Sequence, residues 1–111
     1  MNDLFGCSRI PTAVIAINDY AAAGVIRSVM EHGWRVPEDI SVVSYDNTKV
    51  TELLSPKLTS VDYKYDEFGR KLVETAIAAI SGKIMPRIQL LTPELVVRES
   101  TSVVRESAIE E

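Results

Sequence analysis

Three short apolar runs in this sequence each end in polar side chains able to hold a small molecule. Thr12–Ile17 runs into Asn18 and Asp19, Ile40–Tyr45 into Asp46 and Asn47, and Leu58–Val61 into Asp62 and Tyr63. Carboxylates accept from hydroxyls, an amide both donates and accepts, and an aromatic face stacks on a ring. That set suits a neutral polyhydroxyl or amide-bearing ligand, provided the three runs lie side by side. Each residue also has a plainer reading. Asn18, Asp19 and Asp46 are good helix caps, and Tyr63 and Tyr65 can be core or hinge packing.

Enzyme chemistry finds little to work with. His32 is the only histidine; beside Gly33, at the end of a helical pattern, its expected role is with the helix dipole. No Ser/His/Asp or Cys/His arrangement stands out, and the five glycines are isolated rather than gathered into a phosphate loop. Cys7 is the single cysteine, so neither an internal disulfide nor a cysteine-rich metal site is expected, and it reads as a buried or incidental thiol. Glu38–Asp39 and Asp66–Glu67 read as solvated turn acids, and Trp34 as cover for a core edge. A phosphoacceptor role for Asp46, as in a response-regulator receiver, lacks the second acid near Asn18–Asp19, and Lys57 and Lys64 flank the third run rather than end it. No catalytic residue, metal or cofactor is expected.

The elements that must position these groups follow from periodicity. Thr12–Ile17 lacks alternation and is rich in β-branched residues, which predicts a strand buried on both faces of a parallel sheet. Ala22, Val25, Ile26, Val29 and Met30 fall on one face of a helix over 20–32, stopped by Gly33. After a turn at Val36–Asp39, Ile40–Tyr45 is a second strand. A short helix over 49–54 ends before Pro56, and Leu58–Val61 is a third strand. Residues 63–66 form a connection. A long helix over 67–81 carries the stripe Phe68, Leu72, Val73, Ala76, Ile77 and Ile80, with Gly82 as its stop. Gln89–Leu91 and Leu95–Glu99 are further strand candidates. The alternation predicts an α/β fold: a partial doubly wound, mostly parallel sheet with right-handed crossovers. Ligands of such sheets sit beyond the carboxyl ends of the strands. One echo stands out: Val96–Ser100 (VVRES) recurs unchanged as Val103–Ser107. It reads as a chance repeat in the tail, or as a strand with two available registers.

The 111 residues predict a single domain, with 1–10 a loose leading segment, 11–101 the folded part and 102–111 a polar tail. An apolar content of 46% with 25% charge is globular. No run reaches the ~20 apolar residues of a membrane helix, and no leader is visible, so a cytoplasmic, membrane-free location is expected. Net charge is −4 with scattered basic residues, so direct nucleic-acid binding by these residues is not expected.

Taken in order, the segments resemble a known family. Pro11–Asp19 (PTAVIAIND), Val36–Asp46 (VPEDISVVSYD), Leu54–Val61 (LSPKLTSV), Phe68–Gly69 and Leu95–Thr101 (LVVREST) resemble successive motifs of LacI/GalR-type transcriptional regulators. Gly24 and its helix fit the spacing between the first two. The resemblance implies the C-terminal part of a periplasmic-binding-protein-like effector domain. In such regulators a small molecule, often a sugar or nucleobase, shifts two lobes and changes the operator affinity of an N-terminal helix-turn-helix domain. It implies ligand contacts at Asn18 and Asp46, with Tyr63 and Tyr65 in the segment that crosses to the other lobe. Asp19 is implied to be structural, and the helix from Ala21 with Thr48–Leu54 to be a dimerisation surface. Two residues depart from the pattern: Ser44 stands where glycine is usual and is expected to crowd the backbone, and Asn47 replaces a common second aspartate.

The length also departs, since the DNA-binding domain and most of the first lobe have no counterpart in these residues. The stripe of the 67–81 helix then needs another partner. The implied partners are therefore a small-molecule effector and a second copy, as a homodimer or an oligomer exchanging this helix or the C-terminal strand. DNA would be contacted only through the helix-turn-helix domain. Two other readings stay open: a fragment of a periplasmic-type sugar-binding protein, and a free-standing assembly module without sensing.

Overall fold

A computed structural model describes Gly6 and residues 10–104. Cys7, most of the leading segment, Arg105–Ser107 of the repeat and the end of the tail lie outside the described residues. The elements run β1 (Ala13–Ile15), α1 (Asp19–Glu31), β2 (Ser41–Tyr45), α2 (Val50–Leu53), β3 (Thr59–Asp62), α3 (Tyr65–Ile80) and β4 (Glu94–Val96). One sheet has the order β1-β2-β3-β4. The first two pairings are parallel, with Val14 opposite Val42 and Ser44 opposite Ser60; the last is antiparallel, with Val61 opposite Leu95. The fold is thus α/β with a mostly parallel open sheet, and the carboxyl ends of β1, β2 and β3 share one edge. Among the described residues no helix is long and apolar enough to cross a membrane.

The core lies between α1 and one face of the sheet. Ala22, Ile26 and Val29 of α1 meet Ala16, Val36, Ile40, Val42 and Leu58. Helical spacing makes this possible, because positions 22, 26 and 29 project from one face. Gly33 follows α1 at φ +81 and Gly82 follows α3 at φ +76, left-handed stops of the kind that favours glycine.

Several expectations need correction. β1 is not buried on both faces: it is an edge strand, Ile15 is 71% exposed, and just beyond it Ile17 is 82% exposed. Its unbroken apolar run suggested two covering layers, whereas α1 covers one face alone. α3 begins at Tyr65, two residues earlier than periodicity suggested, because Lys64 takes a left-handed turn (φ 54) that redirects the chain immediately after β3. Residues 89–91 form no strand, and β4 stops at Val96 rather than Glu99. From Arg98 onward the chain leaves the ladder to bond with β2 and the approach to β3.

α3 stands apart from the core. None of its residues is buried, and its apolar stripe faces outward, with Ile80 at 87% exposure. The radius of gyration, 18.8 Å, exceeds the ~13 Å of a compact chain this long. The molecule accordingly measures 60 × 29 × 24 Å.

Stability should therefore be unevenly distributed. Leu58→Ala removes a fully buried side chain and should cost about 2–5 kcal/mol in urea unfolding. Ile80→Ala in the unfolding of the monomer should stay within ~0.5 kcal/mol.

Candidate functional site

The shared edge is organised by a carboxylate that no solvent reaches. Asp19, the first residue of α1, is 0% exposed. Its Oδ1 accepts from the Ser44 hydroxyl at 2.6 Å and the Ser60 hydroxyl at 2.8 Å. Its Oδ2 accepts from the Thr48 backbone N–H at 2.6 Å and the Thr48 hydroxyl at 2.8 Å. Burial alone would raise the pKa of this acid, but the bonds from Ser44, the Thr48 backbone, Ser60 and the Thr48 hydroxyl outweigh it and hold the group below its ordinary value. One side chain thereby ties α1 to β2, β3 and the loop after β2. Ser44, where crowding was expected, is a buried donor to this carboxylate.

That loop is strained. Asp46 has φ 104 and Asn47 φ 53, a region that side chains enter rarely, with Asn and Asp the most tolerant. The surroundings hold it there. Asp46 N–H donates to the Val61 carbonyl at 3.0 Å, and Asn47 N–H donates to the Ser60 hydroxyl at 3.0 Å. The Asn47 amide is fixed at both ends: Nδ2 donates to Asp62 at 3.1 Å, and Oδ1 accepts from Arg98 at 2.8 Å. Arg98, with a side chain 14% exposed, also donates to the Leu58 carbonyl at 2.9 Å and lies 3.9 Å from Glu52. Asp62 accepts from the Lys64 N–H at 2.6 Å. Strain kept in place by surrounding bonds is common where a backbone must present groups to a ligand.

Of the four residues the resemblance implies near the ligand, Asp46, Tyr63 and Tyr65 come together. The Tyr65 hydroxyl donates to Asp46 Oδ1 at 2.8 Å, which stabilises the neutral phenol and raises its pKa. The Tyr63 ring lies 5.9 Å from Tyr65 and stacks on Tyr45 at 6.0 Å. Asn18 stands apart from this cluster as the N-cap of α1, its side chain accepting from the Ala21 N–H at 2.8 Å. An open groove of ≈ 660 Å³ lies between the strand edge and the start of α3. Asp46, Asn47, Asp62, Lys64, Tyr65, Asp66, Glu67 and Arg70 line it. Asp66 and Glu67, read in the sequence as solvated acids, thus form part of its wall.

Sequence reasoning missed Thr48, Ser60 and Arg98. The serine and threonine look like ordinary strand and turn residues, and Arg98 lies 51 positions from the amide it orients. His32 caps the end of α1, its Nδ1 2.7 Å from the Ser28 carbonyl. Among the described residues no group of three His, Cys, Asp or Glu side chains could hold a metal. The edge presents carboxylate oxygens at Asp46 and Asp62 and aromatic surface at Tyr63 and Tyr65.

The profile of the periplasmic binding protein-like domain matches residues 2–101. The HTH-type transcriptional repressor PurR of Pasteurella multocida is 38% identical over 101 residues, covering 90% of this chain and 30% of that protein. The Lac repressor dimer bound to operator and the anti-inducer ONPF superposes with a TM-score of 0.81 at 35% identity, over 84% of this chain and 32% of that one. A LacI family regulator from Arthrobacter sp. FB24 in complex with lactose gives 0.80 at 36% identity, over 91% and 38%. The chain thus spans about three-tenths of the length of the curated relatives it matches.

The Asp19 network sets a pH dependence. A carboxyl with a lowered folded-state pKa stabilises the fold above its unfolded value, and that contribution is lost as pH falls through the folded value. The urea midpoint should therefore fall below about pH 4, and Asp19→Asn should flatten that limb. Asp19→Ala, which strands buried donors, should cost about 2–4 kcal/mol at pH 7.

Proposed function

The chain belongs to the periplasmic binding protein-like family and is part of the effector-binding domain of a LacI-type transcriptional regulator, and we propose that it senses a small polar molecule. The observation that carries this reading is Asp46, held in a strained left-handed turn with its carboxylate against the Tyr65 hydroxyl in an open groove. The ligand is a sugar or a nucleobase-like compound. Asp46 accepts from its hydroxyl or N–H groups, Tyr65 fixes that carboxylate, and Tyr63 supplies stacking surface. Asn18, engaged as the N-cap of α1 and outside the residues that line the groove, is assigned no contact. The lactose complex of the Arthrobacter regulator supports the sugar class.

Binding would shift the balance between two arrangements of the effector domain and so alter DNA affinity in a helix-turn-helix domain of the whole regulator. The repressors among the relatives favour this over a periplasmic sugar-binding role. A second copy is the natural partner. The outward stripe of α3 and the apolar groove of ≈ 430 Å³ beside α1 and α2 (Ile26, Met30, Leu54) both offer surface to it. The same exposed stripe supports the other reading, an assembly module without sensing.

Two measurements separate these. In thermal melts with lactose, cellobiose, adenine and guanine, one class should raise the melting temperature. Asp46→Asn, which tolerates the left-handed backbone, should weaken that ligand at least about tenfold (~1.4 kcal/mol) with little change in the unliganded melt. Unchanged affinity would remove Asp46 from the site. Light scattering at micromolar concentration should give a dimer or larger; a monodisperse monomer would overturn the assembly proposal. A stable dimer that no probe shifts is the signature of the assembly module.

A further inference from the structure

The repeated pentapeptide acquires meaning from what its first copy does. Residues 96–100 sit in a socket formed by β2, β3 and the turn before β3, and every polar member of the motif is used. Val96 pairs with Ser60 at the end of β4. Arg98 N–H donates to the Thr59 hydroxyl at 2.9 Å, while its guanidinium reaches the Leu58 carbonyl and Asn47. Glu99 N–H donates to the Lys57 carbonyl at 2.9 Å, and the Glu99 carboxylate accepts from the Lys57 N–H at 3.0 Å. Ser100, fully buried, donates to the Val42 carbonyl at 2.6 Å and accepts from the Thr59 N–H at 2.8 Å, and its own carbonyl accepts from the Val42 N–H at 2.8 Å. The socket thus reads Arg, Glu and Ser in fixed order, and the chain carries that order again seven residues on, at Arg105, Glu106 and Ser107.

We propose that the socket accepts either copy, so that the C-terminal strand has two registers on β3 separated by seven residues. In the second register Val103 takes the place of Val96 opposite Ser60, Ser102 that of Leu95 opposite Val61, and Thr101 that of Glu94 opposite Asp62. An odd shift would normally turn a strand's faces over; here the repeat restores the same side chains to the same sites. The first register is the major one, because its flanks add bonds that the second cannot match. The Thr101 hydroxyl lies 3.2 Å from that of Thr59, and Ser102 bonds to Ser41 at 3.1 Å and to the Pro37 carbonyl at 3.1 Å. Ala108 and Ile109, which would follow in the second register, carry no hydroxyls. The slip breaks the Lys64–Glu94 ion pair. It also lengthens the segment returning from α3 by seven residues, from 81–93 to 81–100 and by up to ~24 Å of chain, so α3 keeps its tether at β3 while the one at β4 slackens.

The test uses the full chain with Cys7→Ser. Ser107→Ala alone should leave the melting temperature unchanged, Ser100→Ala should lower it, and the double variant should melt lower still, since the second copy can no longer substitute. Coincident melts of Ser100→Ala and the double variant would overturn the proposal. If Ser100→Ala does not fold, a disulfide trap leaves that serine intact. Val61→Cys with Leu95→Cys reports the major register; Val61→Cys with Ser102→Cys should close an intramolecular disulfide only in the second. Adding Ser107→Ala should reduce that second cross-link severalfold. Its absence, or its indifference to Ser107→Ala, would overturn the proposal.

Discussion

The buried carboxylate of Asp19 is the point on which the rest of the strand edge depends. A lone carboxylate removed from water is costly, and four donors offset that cost here. Those donors come from β2, β3 and the loop after β2, so the acid cannot be satisfied unless α1, both strands and that loop take up their native relation. The groove inherits its geometry from this requirement. Asp46 and Asn47 lie between two of the donors, Ser44 and Thr48, and their unusual backbone persists because its neighbours on both sides are fixed.

Much of this was legible in the sequence, for physical reasons that differ by element. The parallel strands announce themselves through short stretches rich in β-branched residues, and α1 and α3 through a 3.6-residue period. Convergence of Asp46, Asp62 and Tyr63 follows once three adjacent strands are parallel. Coverage was not legible. A strand with one bare face and a strand with two covered faces share the same composition, so β1 was misjudged. The family resemblance implied only that Asp19 is structural; its place as a buried hub for four donors comes from the fold. Arg98 could not be anticipated, since its use depends on β4 running antiparallel and leaving the ladder after Val96.

α3 shows the limit of pattern reading in another way. Its stripe is regular enough to define the helix, yet none of its residues is buried among the described residues. Amphipathicity specifies that a partner surface is needed and says nothing about who provides it. The turn at Lys64, the Tyr65–Asp46 hydrogen bond and an exposed Lys64–Glu94 ion pair of 3.3 Å fix where the helix starts relative to the sheet. An exposed pair of this kind contributes little.

In the sensing role proposed above, the left-handed pair at Asp46 and Asn47 would constrain how the groove can diversify. Most side chains are disfavoured at those backbone angles, so the residues admitted are a short list of small acids and amides, with glycine as the one that brings no chemistry. New ligand preferences cannot readily be acquired by substitution there. They must arise on the opposite wall, at Tyr65, Asp66, Glu67 and Arg70, where ordinary helical geometry admits almost any side chain. Under that proposal the groove has a backbone-restricted half and a permissive half, and changes in specificity would arise along the first turns of α3 rather than at the strand edge.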